Sequence, residues 1–442
     1  MIKKRFIFFI LLTILIIVLI FYGALLRHHY NTSKKVDRFP RIQAIAVYLA
    51  EIPFKIKHGY YKREEITKLT KHLDKPKFKR FKKGNNDFLI VLPRYNGDKK
   101  KSVVEIIDPS NFTVLHEYSH DFKSMNDKII YEKEHKFSKK NYNKKPYEYR
   151  NALILEDGSM IAHRNYAPLF KLDFCSNLIW INQEEKFRHN ISLGLDDTIW
   201  TATQMYPYSK IVQRYKKSYG LFDDDAITML NQDGKILFSK SVLEILSDND
   251  MVDENIFNFN NPLYINDVQP ALSDTMFWKR GDVFISSKGL SAIIHYRPDT
   301  NRIINFIKGP FYMQHDINIL DDSKISIFNN NNTLKENSKY SEVIIYDFEK
   351  KIFTKKFNKQ LVDNNFKTPT SGISRILNDG SLYVEEQKHG RILFFDPNGE
   401  LEWEYINKDS SGDIYGINWS RVIENKEYKQ SLLDLIKTKN CK

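Results

Sequence analysis

Cysteine is almost absent from this sequence: Cys175 and Cys441 are the only two among 442 residues. That scarcity leaves no disulfide framework and no cysteine-based metal pattern to read. Cys175, set in an apolar strand context, is expected simply to be buried. Acidic residues are outnumbered, 55 against 68 Lys and Arg, for a formal charge of +13. Such an excess fits anionic ligands or anionic lipid. Yet lysine and asparagine are plentiful throughout, and much of the excess sits in residues 75–83 and 133–145, which read as solvated loops. No nucleic-acid partner and no cofactor is expected. Aromatic residues make up 14% of the chain, and Asp-Gly or Asn-Gly pairs recur. That composition suits β-structure better than a helix bundle.

Charge is missing altogether from one long stretch. After Lys3-Lys4-Arg5, residues 6–26 carry none until Arg27-His28-His29. At 1.5 Å per residue they cover about 31 Å, the hydrocarbon thickness of a bilayer. Only a helix can cross there, because each backbone N–H and C=O must find its partner within the segment. A cleaved signal peptide has a shorter apolar core, roughly 7–15 residues, and a small-residue cleavage site. Tyr22-Gly23-Ala24-Leu25-Leu26 is a poor cleavage site. Residues 1–30 are therefore expected to be a single-pass transmembrane anchor in the inner membrane. Three cations before the span place the soluble part on the periplasmic side, although Lys34, Lys35 and Arg38 follow it. In the juxtamembrane segment 31–84, Ile42, Ile45, Tyr48, Leu49, Ile52 and Ile56 recur at near-helical spacing. They predict a short amphipathic helix, beside the membrane or packed on the main domain.

From residue 85 to 442 one unit recurs: a short apolar strand, a tight acidic or glycine turn, a second strand, then another strand pair. Asp157-Gly158, Asp233-Gly234, Asp379-Gly380 and Asn398-Gly399 mark such turns, as do Asp196-Asp197 and Asp321-Asp322. Six copies begin near residues 88, 151, 190, 265, 316 and 373, each long enough for four antiparallel strands. A lone four-stranded unit has two open edges and cannot bury both faces, so the copies must pack on one another. Radial closure does this; a stack of two sandwiches is the alternative. The expected fold is all-β, a six-bladed β-propeller behind an N-terminal transmembrane helix. The innermost strand of each blade then lines a channel, and the polar residues opening each repeat converge at its mouth. These are His189, then Tyr264 with Asn266, then His315.

At those residues the sequence resembles the arylsulfate sulfotransferases, periplasmic six-bladed propellers that move a sulfuryl group between phenols. The resemblance covers residues 149–423. It is carried by Phe187-Arg188-His189-Asn190, by Tyr264-Ile265-Asn266 with Ser286-Ser287-Lys288, by Gln314-His315 with Phe328-Asn329-Asn330, and by the closing segment from Gly372 to Trp403. It implies a ping-pong reaction without a nucleotide donor, in which His315 attacks the sulfur of an aryl sulfate or other anionic small-molecule substrate. A sulfohistidine forms, and a second phenol takes the group. A neutral imidazole is a competent nucleophile near pH 7. The resemblance implies that His189 hydrogen-bonds or protonates a phenolic oxygen, Asn266 donates to an oxygen, and Lys288 balances charge. The family's second histidine falls on Tyr264, whose ordinary pKa near 10 makes it a weaker acid. Its arginine falls on Lys288, which cannot grip two oxygens at once. Both departures imply a different substrate or reduced activity. The competing class is a non-catalytic propeller that binds a glycan, peptide or protein at the channel mouth.

Two other features read as structure. His116-Glu117-Tyr118-Ser119-His120 matches the zinc-protease pattern, but its chemistry needs a helix. Here a strand is predicted, which sets the two imidazoles about 13 Å apart at roughly 3.3 Å per residue, too far to share a zinc. No metal is expected. The run from Asn329 to Asn332 reads as a polar loop.

Overall fold

The computed structural model describes residues 2–31, 68–84, 86–122, 148–215, 222–253, 261–331 and 340–441, with positions 49, 125, 128, 256 and 257 between them. The near-helical repeat of residues 42–56 lies outside these apart from Leu49, as does the lysine-rich stretch 133–145. The chain forms two compact units, Met1–Glu65 and Ile66–Lys442. In the first, the charge-free stretch lies in a helix, Ile2–Asn31. Its segment Ile7–Ala24 is long and apolar enough to cross a bilayer, a property that anchors and signal sequences share.

The second unit is a propeller-like arrangement of antiparallel sheets. Strands β1 (Phe78–Arg80), β2 (Leu89–Asn96), β3 (Lys101–Asp108) and β4 (Thr113–Tyr118) come first. Next come β5 (Arg150–Ile154), β6 (Met160–His163), β7 (Ala167–Leu172), β8 (Leu178–Leu193), β9 (Ile199–Gln204), β10 (Asp225–Leu230) and β11 (Ile236–Ser241). The third group is β12 (Ile265–Pro270), β13 (Val283–Ser287), β14 (Ala292–Arg297) and β15 (Arg302–Lys308). The fourth is β16 (His315–Asp321), β17 (Lys324–Asn329), β18 (Glu342–Asp347) and β19 (Ile352–Lys356). The chain ends with β20 (Ile373–Ile376), β21 (Leu382–Glu386), β22 (Arg391–Phe395), β23 (Leu401–Ile406) and β24 (Arg421–Ile423).

Hydrogen bonding sorts them into five sheets rather than six separate ones: β24-β2-β3-β4, the seven strands β5 to β11, β12 to β15, β16 to β19, and β20 to β23 with β1 added outside β23. The seven-stranded sheet arises because β8 is 16 residues long. Its first half pairs with β7 and its second half with β9. Between those halves lies an apolar cluster of its own, with Leu153, Leu169 and Phe187 against Ile191, Ile199 and Leu230. The other sheet interfaces are filled in the same manner, for instance Trp200 and Ile227 against Val268 and Ile285.

The turn residues act as their chemistry requires. In Leu155-Glu156-Asp157-Gly158-Ser159 the glycine adopts φ 77° and the carboxylate of Asp157 accepts the Ser159 N–H at 2.8 Å. Backbone bonds of the same pattern close the Asn231, Leu377 and Asp396 hairpins. Gly234 has φ 82°, and a Cβ there would meet the Trp180 ring at 2.8 Å, so only glycine fits.

Side chains tie each inner strand to its neighbour and so fix the site. Asn151 accepts from the Ile191 N–H at 2.6 Å, and Asn190 makes two bonds with the Val268 backbone. Asp267 accepts from Ile317 N–H at 2.5 Å, and Asp316 from Ser374 N–H at 2.9 Å. Glu385 accepts from Trp419 and Ser420, and Arg421 donates to the Ala152 carbonyl at 2.8 Å, which completes the circuit.

The two cysteines are bonded to each other, contrary to the expectation of an isolated buried Cys175. Cys175 sits in the turn after β7, and Cys441 follows the C-terminal helix Lys426–Thr438. The bond spans 266 residues of sequence, a separation at which spacing carries no signal. The imidazoles of His116 and His120 donate to the Phe174 and Ser176 carbonyls of that same turn, each at 2.9 Å.

Candidate active site

Three of the inner strands are bulged where they meet their neighbours. The register slips between Arg188 and Ile191, between Ile265 and Asp267, and between His315 and Ile317. His189 and Tyr264 lie at or beside these bulges in the left-handed region, at φ 60° and 48°. Bulges re-aim a side chain out of the pleat, and a non-glycine residue held there costs about 1–3 kcal/mol. The ring of inter-strand hydrogen bonds holds the bulges in place.

The predicted convergence is found. The rings of His189 and His315 are 6.0 Å apart between centroids, and His189 is 5.7 Å from the Tyr264 ring. The Lys288 ammonium stands 3.6 Å above the centroid of Tyr264. Asn266 is fully buried nearby, but its amide donates to the Gln314 carbonyl at 2.7 Å, a tie to the next strand. Its Oδ1 has no partner among the described residues.

Hydrogen bonds assign the protons. Nδ1 of His315 faces two oxygens, Asn330 Oδ1 at 2.6 Å and the Met313 carbonyl at 2.9 Å. Asn330 presents its oxygen because its amide donates to the Thr368 and Ser371 carbonyls. Two acceptors require a proton on Nδ1, so the lone pair is on Nε2. That Nε2 is buried without a partner. In His189 the order is reversed. Its Nε2 lies 3.3 Å from an Arg188 amino group, which can only donate, so Nδ1 carries the proton and is itself unpartnered. Burial pulls His315 down to about 3, with the charges of Lys288 and Arg150 adding to it against the Asn330 hydrogen bond. Burial and the Arg188 charge hold His189 well below its ordinary value. Both rings are neutral throughout the physiological range, one as acceptor and one as donor.

The electrostatics of Tyr264 run the other way. Burial works to raise its pKa, but Lys288, Arg188 and a hydrogen bond from Tyr166 outweigh burial and hold it below the usual phenol range. The Arg188 guanidinium lies 4.5 Å over the Tyr264 ring. Burial lowers Lys288 in turn, and the Arg188 charge adds to it. Arg188 is fixed by a fully buried ion pair with Asp225 at 2.6 Å.

A match to the arylsulfotransferase (ASST) family model runs over residues 151–408, more than half of the chain. The chain belongs to the arylsulfotransferase family. No curated protein matches it. Among solved structures it overlaps a Bacteroides caccae protein of unknown function (11% identical, 76% of this chain, 100% of that one, TM-score 0.46). It also overlaps TolB from Acinetobacter baumannii (8% identical, 87% and 73% covered, TM-score 0.46). Virginiamycin B lyase from Staphylococcus aureus is a third (11% identical, 58% and 69% covered, TM-score 0.35). Overlaps this slight carry no functional weight.

Around this family member's histidine pair stand residues that the sequence reading passed over. Asn330, read as loop, is 1% exposed and sets the tautomer of His315. Trp419, with φ 58°, lies 5.7 Å from the His189 ring and 5.9 Å from that of His315. Arg150 lies 4.9 Å from the Trp419 ring. The repeat register held the missing signal: Trp419 precedes β24 much as His189 and Tyr264 sit at the bulges of β8 and β12.

Proposed function

We propose that this protein is a membrane-anchored sulfuryl transferase that moves the group from an aryl sulfate ester to a phenolic acceptor through a sulfohistidine at His315. The observation that carries the reading is the orphaned, proton-free Nε2 of His315, in a ring kept neutral by burial and oriented by Asn330. In the first half-reaction the Nε2 lone pair attacks sulfur, an N–S bond forms, and the S–O bond to the phenol breaks with its electron pair on oxygen. In the second, an acceptor phenol oxygen attacks sulfur and the N–S bond breaks, returning the lone pair to Nε2. The N–H of His189 hydrogen-bonds the phenolic oxygen rather than protonating it, because the ring is neutral. Tyr264, with its lowered pKa, exchanges the proton between leaving and accepting phenols. Lys288 balances the developing charge, and Asn266 holds the bulge that aims Tyr264.

The same proposal divides the chain into an anchor at 1–30, a juxtamembrane segment at 31–84 and a propeller at 85–442. Counting the halves of the seven-stranded sheet separately gives six blades, supported by six interblade apolar clusters. The Cys175–Cys441 bond supports an extracytoplasmic, oxidising location for that domain.

Incubation with p-nitrophenyl sulfate and no acceptor should leave a sulfuryl adduct on His315, read by peptide mass. His315→Ala should abolish adduct and turnover, and Lys288→Arg should keep or raise activity. If neither the natural chain nor a folded Tyr264→His, Lys288→Arg variant transfers from any aryl sulfate, the non-catalytic binding reading replaces this one.

A further inference from the structure

Four arginines inside the fold are well supplied with acceptors, three by carboxylates and one by carbonyls, and a fifth is not. Arg94 is paired with Glu105 at 2.6 Å, Arg188 with Asp225 at 2.6 Å, and Arg391 with Glu404 at 2.6 Å. Arg421 donates to backbone carbonyls. Arg150 is half-buried beside the histidine pair and has no carboxylate within ion-pairing distance among the described residues. Its Nε is shielded and unpartnered, and its closest polar contact is the Ser371 hydroxyl at 3.4 Å. The charges of Glu148 and Glu385 reach it without an ion pair, and Glu385 is already spent on the N–H groups of Trp419 and Ser420 and on the Ser420 hydroxyl. A guanidinium shielded in this way loses hydration that only an anion restores well.

Its neighbours are orphaned too. Trp419 is 1% exposed, yet among the described residues its indole N–H has no partner, and neither has the Nδ1–H of His189. Three unsatisfied donors therefore lie in one cluster with an unsatisfied lone pair, the Nε2 of His315: the His189 and Trp419 rings are 6.0 Å and 5.9 Å from the His315 ring, and Arg150 is 4.9 Å from that of Trp419. Unpaired buried donors are rare and expensive in isolation. Gathered around a lone pair they match a tetrahedral oxyanion whose oxygens take the donors while its central atom faces the nitrogen.

We propose that Arg150 and the indole N–H of Trp419 form an oxyanion cradle that holds the sulfuryl oxygens, beside the His189 N–H that takes the phenolic oxygen and separate from the Lys288 position that the family resemblance points to. The cradle recognises the oxygens of a sulfate or phosphate ester by its planar fork and fixed N–H donors, not by net charge alone. Its catalytic half rests on the transferase reading above; its anion-binding half does not.

The test uses the full chain in detergent, titrated separately with sodium sulfate and sodium phosphate and followed by tryptophan fluorescence and calorimetry. The natural chain should bind at least one of the two, and the tighter identifies the ester class. Arg150→Gln should weaken binding at least tenfold. Arg150→Lys should recover part of it, which keeps the comparison informative if Arg150→Gln folds poorly. Trp419→Phe should lose the fluorescence response and weaken binding several-fold by calorimetry. No binding of either anion by the natural chain, or equal binding by the natural chain and both Arg150 variants, overturns the cradle. A protein that binds sulfate through Arg150 yet never labels His315 keeps the cradle and refutes the transferase. Transfer by Arg150→Gln at the natural kcat/KM refutes the cradle and leaves the transferase.

Discussion

The neutrality of His315 is open to a thermodynamic test that requires no substrate. In the folded protein its pKa lies at about 3 against 6.5 for the free side chain. A base whose pKa is depressed by folding is protonated preferentially when unfolded. Its contribution to stability is therefore fully present above pH 6.5 and is lost as the pH falls from 6.5 toward 3. At pH 5.5 the unfolded imidazole is about nine-tenths protonated and the folded one is not. Relative to pH 7.5 that difference destabilises the fold by about 1.4 kcal/mol for this one ring. The variant to compare is His315→Asn, whose amide can still donate to Asn330 from the position of Nδ1 but cannot titrate. Urea unfolding of both proteins in detergent at pH 7.5 and 5.5 gives two pH-induced losses of stability. The loss in the variant should be smaller by about 1.4 kcal/mol, because every other titrating group cancels in the difference. An unchanged loss would mean that folding leaves the imidazole ordinary, and the proton-free nucleophile would go with it.

Further outcomes follow from neighbouring groups. Asp225→Ala strands the buried Arg188 charge and should cost about 3–5 kcal/mol in urea unfolding; a cost near zero would show that the pair carries no weight. Tyr264→Phe should remove the lowest-pH step from the 295 nm phenolate titration, since Tyr264 ionises below the usual range; an unaltered low end contradicts this. Cys175→Ser should cost about 2–5 kcal/mol, and the natural chain should take up no alkylating reagent before reduction. Alkylation of native protein at either cysteine would disprove the bond.

The hairpins were legible because their information is local: an Asp-Gly pair fixes a backbone conformation that few other residues tolerate. The convergence of His189, Tyr264 and His315 was legible through the repeat, which turns sequence offsets of 75 and 51 residues into neighbours. What the repeat could not supply was partnership. Asn330 lies in a run of asparagines, and nothing in that run distinguishes the one whose amide is tied to two carbonyls beside His315 from Asn329, which is bonded to Glu342 instead. Arg150 looks like any arginine until its lack of an acidic partner among the described residues is visible. The Cys175–Cys441 bond joins a turn to a chain end with no repeat relation between them. The merging of two four-stranded units into one sheet depends on β8 running from Leu178 to Leu193 without a break, across the start of the copy near residue 190.

The placement of β24 has a consequence for how the protein is made. This strand is the innermost one of a sheet whose other three strands were synthesised more than 300 residues earlier, with Ile423 pairing Leu89. Until the end of the chain arrives, β2 presents a bare apolar edge, the kind that invites wrong partners. Residues 421–441 thus close the propeller-like arrangement, and they also carry the cysteine that fastens it. A premature stop near residue 420 should be as damaging as one in the middle of the chain, since it leaves five sheets without the strand that makes them a circle.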